Sequence, residues 1–241
     1  MSKKASKTIE ERITDRAVLE KFVAGKGWSN LINFNDLIDA LNANDENTSK
    51  NPGCYKWWAN EDDAKDLLTK IASDKADFEQ LKETFEHEEG SDLYCIYVGK
   101  ADCLRDRLKH HAKHLFQSTL RRTIFSLYCP EEKSLESINK HVDYALGKFK
   151  VQYFSLDKEK CSKKGKGPYK LENTGLSLLD LEYYFINKNF HILNVDENEY
   201  AEYNSLDADN YRACKTKEII NVLKEKKWSK KRIQKALANK T

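Results

Sequence analysis

The stretch YCIYVGKADCLRDRLKHHA, residues 94–112, decides the fold. It opens as an alternating apolar run that reaches Tyr97, breaks at Gly99, and passes at once into a helical pattern. Leu104, Leu108, Ala112 and Leu115 recur on one helix face, and Arg107 and His111, at i and i+4, point together from its rim. A glycine at the junction lets the chain turn sharply and lets a ligand approach the backbone where a side chain would block it. A guanidinium on that rim can hold a phosphate oxygen bidentately, and a neutral imidazole can accept or relay a proton. Taken alone, the same residues read as a solvated helix face, because charged side chains sit outside by default.

Working outward, GCYKWWA (53–59) reads as a strand whose Tyr55 shares a face with Tyr97, so that an antiparallel pair presents both hydroxyls at one edge. Gly53 flanks it as Gly99 flanks Tyr97. Residues 60–92 are acidic, with Leu67, Leu68, Ile71, Phe78, Leu81 and Phe85 at helical spacing. After the Gly99 helix come two more helical stretches, LFQSTLRRTIFSLYCP, halted by Pro130, and SLESINKHVDYALGKF. KVQYFSL (150–156) alternates as a strand, and SLLDLEYYFINKNFHILN reads as a helix running into an extended end. Within that helix Glu182 stands among apolar residues, where a carboxylate is either paired or a metal ligand. Residues 8–42 read as helical in two stretches, TIEERITDRAVLEKFVAG, which ends on Gly25, and FNDLIDALNAN, and they end in a breaker-rich linker, NANDENTSKNPG. The order implies an α+β fold: a small three-stranded antiparallel sheet flanked by helices over 51–196, with a helical segment 1–50 and a basic helical tail 197–241.

Charge is segregated. Residues 215–241 carry ten Lys/Arg against two Glu, and 158–170 carry six Lys against one Glu, while 61–92 hold twelve acids against four lysines, on a chain of formal net charge +3. Two basic segments on an otherwise acidic chain point to a polyanion partner, since each cation near a phosphate releases counterions. Lys163, Lys164, Lys166 and Lys170 in the loop, with Lys230, Lys231 and Arg232 in the tail, are the candidate nucleic-acid contacts. The six cysteines form no CxxC pair and stand at no zinc-knuckle spacing, so they read as reduced thiols and a structural zinc is not expected. The polar opening MSKKASKTIEER and the lack of any long apolar run make a cytoplasmic location, away from membranes, the expectation.

Together GCY (53–55), YVG (97–99), the Arg107 and His111 helix, STLRRTIFSL (118–127) and LEYYFINKNFHILN (181–194) resemble the GIY-YIG nuclease family. The first motif has cysteine where isoleucine is usual, and about 40 residues separate the two tyrosine motifs, which makes 60–92 an insertion between strands. The resemblance implies a DNA endonuclease using Mg²⁺ or Mn²⁺, with Glu182 as the metal ligand. By the same resemblance Tyr55 activates water, Arg107 neutralises phosphate charge, and Tyr97 and His111 orient groups and relay protons. Gly53, Gly99, Lys100 and Asn194 support the site, and His110 is the alternative to His111. A standalone chain of this kind suggests a restriction or defence enzyme. The alternatives are a repair, recombination or mobile-element nuclease, or a non-catalytic nucleic-acid-binding protein on this fold. Oligomeric state, monomer or homodimer, is open.

Overall fold

A computed structural model describes residues 9–42, 50–72, 78–88, 90–113, 118–128, 135–163, 165, 167–186, 188–189 and 191–194. Its centre is β2 (Gly53–Asn60), paired antiparallel on one side with β3 (Leu93–Ala101) and on the other with β4 (Lys150–Ser155). These are the three expected strands. A fourth, β1 (Ile32–Asn33), extends the sheet beyond β4 in the order β1-β4-β2-β3. It lies between the two helical stretches expected within 8–42, which are α1 (Ile9–Val23) and α2 (Phe34–Asn42). Two residues are too few to show an alternation; the open edge of β4 makes this strand, with Ser29 N–H donating to the Tyr153 carbonyl and Phe34 N–H to that of Phe149.

Both faces of the sheet are covered, so β2 is buried along almost its whole length. One face carries Tyr55, Trp57, Ile96 and Val151. It packs against α2 and α3 (Glu61–Ala72), and against Phe78 and Leu81 of the short α4 (Phe78–Leu81). The same core takes in α5 (Leu104–Lys113), α6 (Thr119–Tyr128) and α7 (Leu135–Leu146). The other face carries Cys54, Trp58, Val98 and Phe154 and packs against α1 and α8 (Leu178–Ile186). A register shift between Trp57 and Trp58 pairs them with Tyr97 and Cys95, leaving Ile96 as the extra residue of a β-bulge. The acidic segment connects β2 to β3, and its apolar residues Ala64, Leu67, Leu68, Phe78, Leu81 and Phe85 are buried in the same core as Tyr55.

α5 begins where the two glycine motifs meet. The carbonyl of Asn51, just before β2, accepts the N–H of Leu104 at 3.0 Å, satisfying a donor that the first helical turn leaves open. A Cβ on Gly53 would overlap the Phe154 carbonyl and press on the Leu104 side chain, so glycine is needed there for close approach, at an ordinary backbone angle. The lysine-glycine loop folds as a two-stranded ribbon of β5 (Cys161–Ser162) and β6 (Lys170–Leu171). The expected tail 197–241, with Lys230, Lys231 and Arg232, lies outside the described residues, as do Lys164, Lys166 and Leu115. No helix among the described residues is long and apolar enough to cross a membrane.

Candidate active site

Tyr55 pairs across the sheet with Gly99, and a Cβ on Gly99 would overlap the tyrosine ring and hydroxyl. The missing side chain is what lets the ring pass over Gly99 and carry its hydroxyl to α5. There Arg107 Nε donates to it at 3.1 Å, and His111 Nε2 stands 2.8 Å away. The i, i+4 spacing of Arg107 and His111 thus brings both to one oxygen, as the helix geometry requires. His111, not His110, is the histidine that meets Tyr55. Tyr97 lies on the same face, its ring 6.1 Å from that of Tyr55 and 6.5 Å from the His111 imidazole, and it is half-buried where Tyr55 is wholly buried.

His111 is fixed from behind by residues that sequence reasoning did not single out. Its Nδ1 lies 2.7 Å from the Ser118 hydroxyl, and that hydroxyl oxygen accepts the backbone N–H of Arg121 at 3.0 Å. The buried Arg121 guanidinium donates to the carbonyls of His111 and Ala112 at 3.1 and 3.0 Å, and to Asp143 Oδ1 at 2.6 Å. It therefore closes the C-terminal end of α5, where unsatisfied carbonyls and the helix dipole favour a cation. A serine directly before a helical run, in STLRR, is an N-cap signal, and it was the available clue to Ser118.

Environment sets the protonation states. Burial drives the His111 imidazole well below its usual range, and the charges of Arg107, His110 and Arg121 push the same way, so it is neutral. Burial raises the Tyr55 hydroxyl well above the usual phenol range, with Tyr97 adding to the effect and Arg107 opposing it. Tyr55 is therefore a neutral phenol beside a neutral imidazole. Arg107, pushed further up by Tyr55, remains a cation.

Glu182 reaches the same edge of β3 from the opposite face. Leu178, Leu181, Phe185 and Ile186 bury one side of α8, which leaves Glu182 at its border with 17% side-chain exposure. Its Oε1 accepts the Lys100 N–H at 3.0 Å, and its Oε2 lies 3.8 Å from Lys100 Nζ. Its charge is close enough to raise the Tyr55 hydroxyl. A carboxylate offers about four lone-pair positions, and a single hard, partly exposed oxygen donor suits Mg²⁺ or Mn²⁺, which keep waters and take phosphate oxygens as further ligands. The residues present fit such an ion.

Asn194 completes the edge: its Oδ1 accepts the Val98 N–H at 2.7 Å and its Nδ2 donates to the Val98 carbonyl at 2.8 Å. With Leu193 N–H on the Ile96 carbonyl at 2.8 Å and Glu182 on Lys100, alternate residues of β3 find partners on the side away from β2. Of the basic candidates described, Lys163 pairs with Asp102, just beyond β3, and its Nζ lies 5.0 Å from the centre of the Tyr169 ring, while Lys170 is exposed on β6.

No curated protein and no solved structure matches the chain. The model of the GIY-YIG catalytic domain, a nuclease domain whose members typically use divalent metals, matches residues 53–217. The match starts at Gly53, runs past Asn194 and takes in more than half of the 241 residues, and the chain belongs to the GIY-YIG family.

Proposed function

We propose that this chain is a divalent-metal-dependent DNA endonuclease, of the restriction or defence type, acting in the cytoplasm, and that Tyr55, Tyr97, Arg107, His111 and Glu182 carry the reaction. The observation that carries this reading is the Tyr55 hydroxyl held between Arg107 Nε at 3.1 Å and His111 Nε2 at 2.8 Å, with the Glu182 carboxylate on the Lys100 N–H at the same end of β3. The catalytic unit spans 51–196, with 1–50 and 197–241 as attachments.

The phosphodiester enters at the rim formed by Tyr97, Arg107, Lys100 and Glu182, which are partly exposed, above the buried Tyr55 and His111. Arg107 turns its terminal donors onto a non-bridging oxygen, where a charge-assisted fork neutralises the growing negative charge. That turn also opens the Tyr55 oxygen to water. As the water oxygen attacks phosphorus, its proton passes to the Tyr55 oxygen and the Tyr55 proton passes to His111 Nε2, the neutral acceptor 2.8 Å away. The step uses the His111 tautomer that donates Nδ1–H to Ser118, which leaves the Nε2 lone pair facing the phenol. A cation of the Mg²⁺ type, held by Glu182, would polarise the phosphate and favour departure of the leaving oxygen. Tyr97 and Lys100 position the phosphate, and Asn194 keeps β3 in place.

Backbone contacts come from the basic segments: Lys163, Lys164, Lys166 and Lys170 in the loop that meets β3 through Asp102, and Lys230, Lys231 and Arg232 in the tail. The test is cleavage of plasmid DNA by the purified chain with Mg²⁺ or Mn²⁺. We expect nicked or linear product, abolished by EDTA and by Glu182→Gln. Intact plasmid, phage and branched DNA under all these conditions would favour a nucleic-acid-binding role, and cleavage undiminished by Glu182→Gln would displace the metal from this residue.

A further inference from the structure

Away from that site, the fold gathers a second set of ligating side chains. A Glu86 carboxylate oxygen, the Cys95 Sγ and a His191 ring nitrogen all lie within 4.8 Å of one another. They come from three separate segments: the chain leading into β3, β3 itself, and the stretch that closes its outer edge. Cys95 and His191 have no exposed surface, and the Glu86 side chain keeps 24%. The two oxygens of Glu86 are divided, with Oε1 paired to Lys56 and Oε2 turned to His191 Nε2 at 3.7 Å.

We propose that Glu86, Cys95 and His191 form a second metal site, for a borderline cation of the Zn²⁺ type, that fastens the closing segment 191–194 to β3. The donor set selects this class. A thiolate with an imidazole and one carboxylate is the mixture that Zn²⁺ takes, whereas Mg²⁺ takes oxygen alone. Zinc bonds of about 2.0–2.3 Å set ligand atoms roughly 3.3–3.8 Å apart in a tetrahedron, so side-chain rotations closing the cluster by about 1 Å are enough. As the metal–sulfur bond forms, the Cys95 thiol proton leaves to solvent. Thiolate and carboxylate then balance the dication, while Lys56 keeps its place on Oε1.

Glu86 and Lys56 also line a cavity of about 400 Å³ with Trp28, Trp58, Glu88 and Gln152. This is an entry path for the ion and has room for a water as fourth ligand. The expected consequence is mechanical: His191 stands three residues before Asn194, so the ion holds one end of the segment whose other end grips Val98. The ion is distinct in place and chemistry from one at Glu182.

The test uses the full chain, freed of any affinity tag, stripped with EDTA and dialysed into metal-free buffer. Titration with Co²⁺ should give a thiolate-to-cobalt absorption that saturates at one equivalent and is displaced by Zn²⁺, and Zn²⁺ should raise the melting temperature by about 5 °C or more. Cys95→Ser and His191→Gln should lose both signals, whereas Cys54→Ser, Cys103→Ser, Cys161→Ser and Glu182→Gln should keep them. Retention in Glu182→Gln separates this site from the proposed catalytic ion, so either can fail alone. Absence of the band in the wild-type chain, or its persistence in Cys95→Ser, overturns the proposal, and the wild-type titration decides even if the variants do not fold.

Discussion

Tyr55 and Gly99 face each other across β2 and β3, and the tyrosine ring fills the volume that a side chain on the glycine would need. The glycine is therefore a spatial requirement of the tyrosine, and the effect of filling it follows. In Gly99→Ala the ring must move, and the hydroxyl leaves Arg107 and His111. A misplacement of about 1 Å costs roughly a hundredfold in rate, while overpacking costs about 1–3 kcal/mol of stability. DNA cleavage should fall about a hundredfold or more in a protein that still folds, read by cleavage kinetics beside thermal melting.

The proposed relay from Tyr55 to His111 carries a pH signature. A histidine lowered below its usual range stays neutral as pH falls through 6.5, so the acid loss of kcat should lie below that value. Tyr55 is raised, so no free phenolate forms near pH 9, and kcat should be flat from about pH 7 to 9. A rate that climbs tenfold per pH unit across that range would instead mark Tyr55 as a phenolate base. His111→Ala should cost about 10²–10³ in kcat. Ser118→Ala, which releases Nδ1, should cost about tenfold in kcat with KM unchanged, and Ser118→Thr should restore most of it.

Asn194 replaces a strand. Removing its amide in Asn194→Ala leaves the N–H and carbonyl of the buried Val98 unpaired, at about 1–3 kcal/mol each. Asn194→Asp keeps the acceptor for the Val98 N–H but sets a second oxygen against the Val98 carbonyl. The aspartate variant should thus be destabilised as well, and more so at neutral pH than at pH 4, where the acid can donate. Chemical denaturation at the two pH values measures both.

How far these features could be read in advance depends on their range. Tyr97, Gly99, Arg107 and His111 were legible because a strand, a glycine and a helix follow one another directly, and two periodicities place the side chains. Glu182 stood out as an acid in an apolar helix, and Asn194 followed from the family's closing motif. β1 was not legible, since two residues show no alternation and only the edge of β4 makes them a strand. Ser118 and Arg121 act through a contact between two helices, which no local pattern encodes. The Glu86, Cys95 and His191 cluster was hidden for a related reason: ligand spacing along the chain was the signal sought, and here the sheet edge supplies the proximity instead.

The central claim is that the Tyr55 hydroxyl takes part in phosphodiester cleavage. The most direct test is the single-turnover rate on a defined DNA with saturating Mg²⁺ for Tyr55→Phe, which removes one oxygen and keeps the ring over Gly99. The account predicts a fall of about 10²–10⁴ with a melting temperature close to that of the wild-type chain; a Tyr55→Phe rate equal to wild type would contradict it.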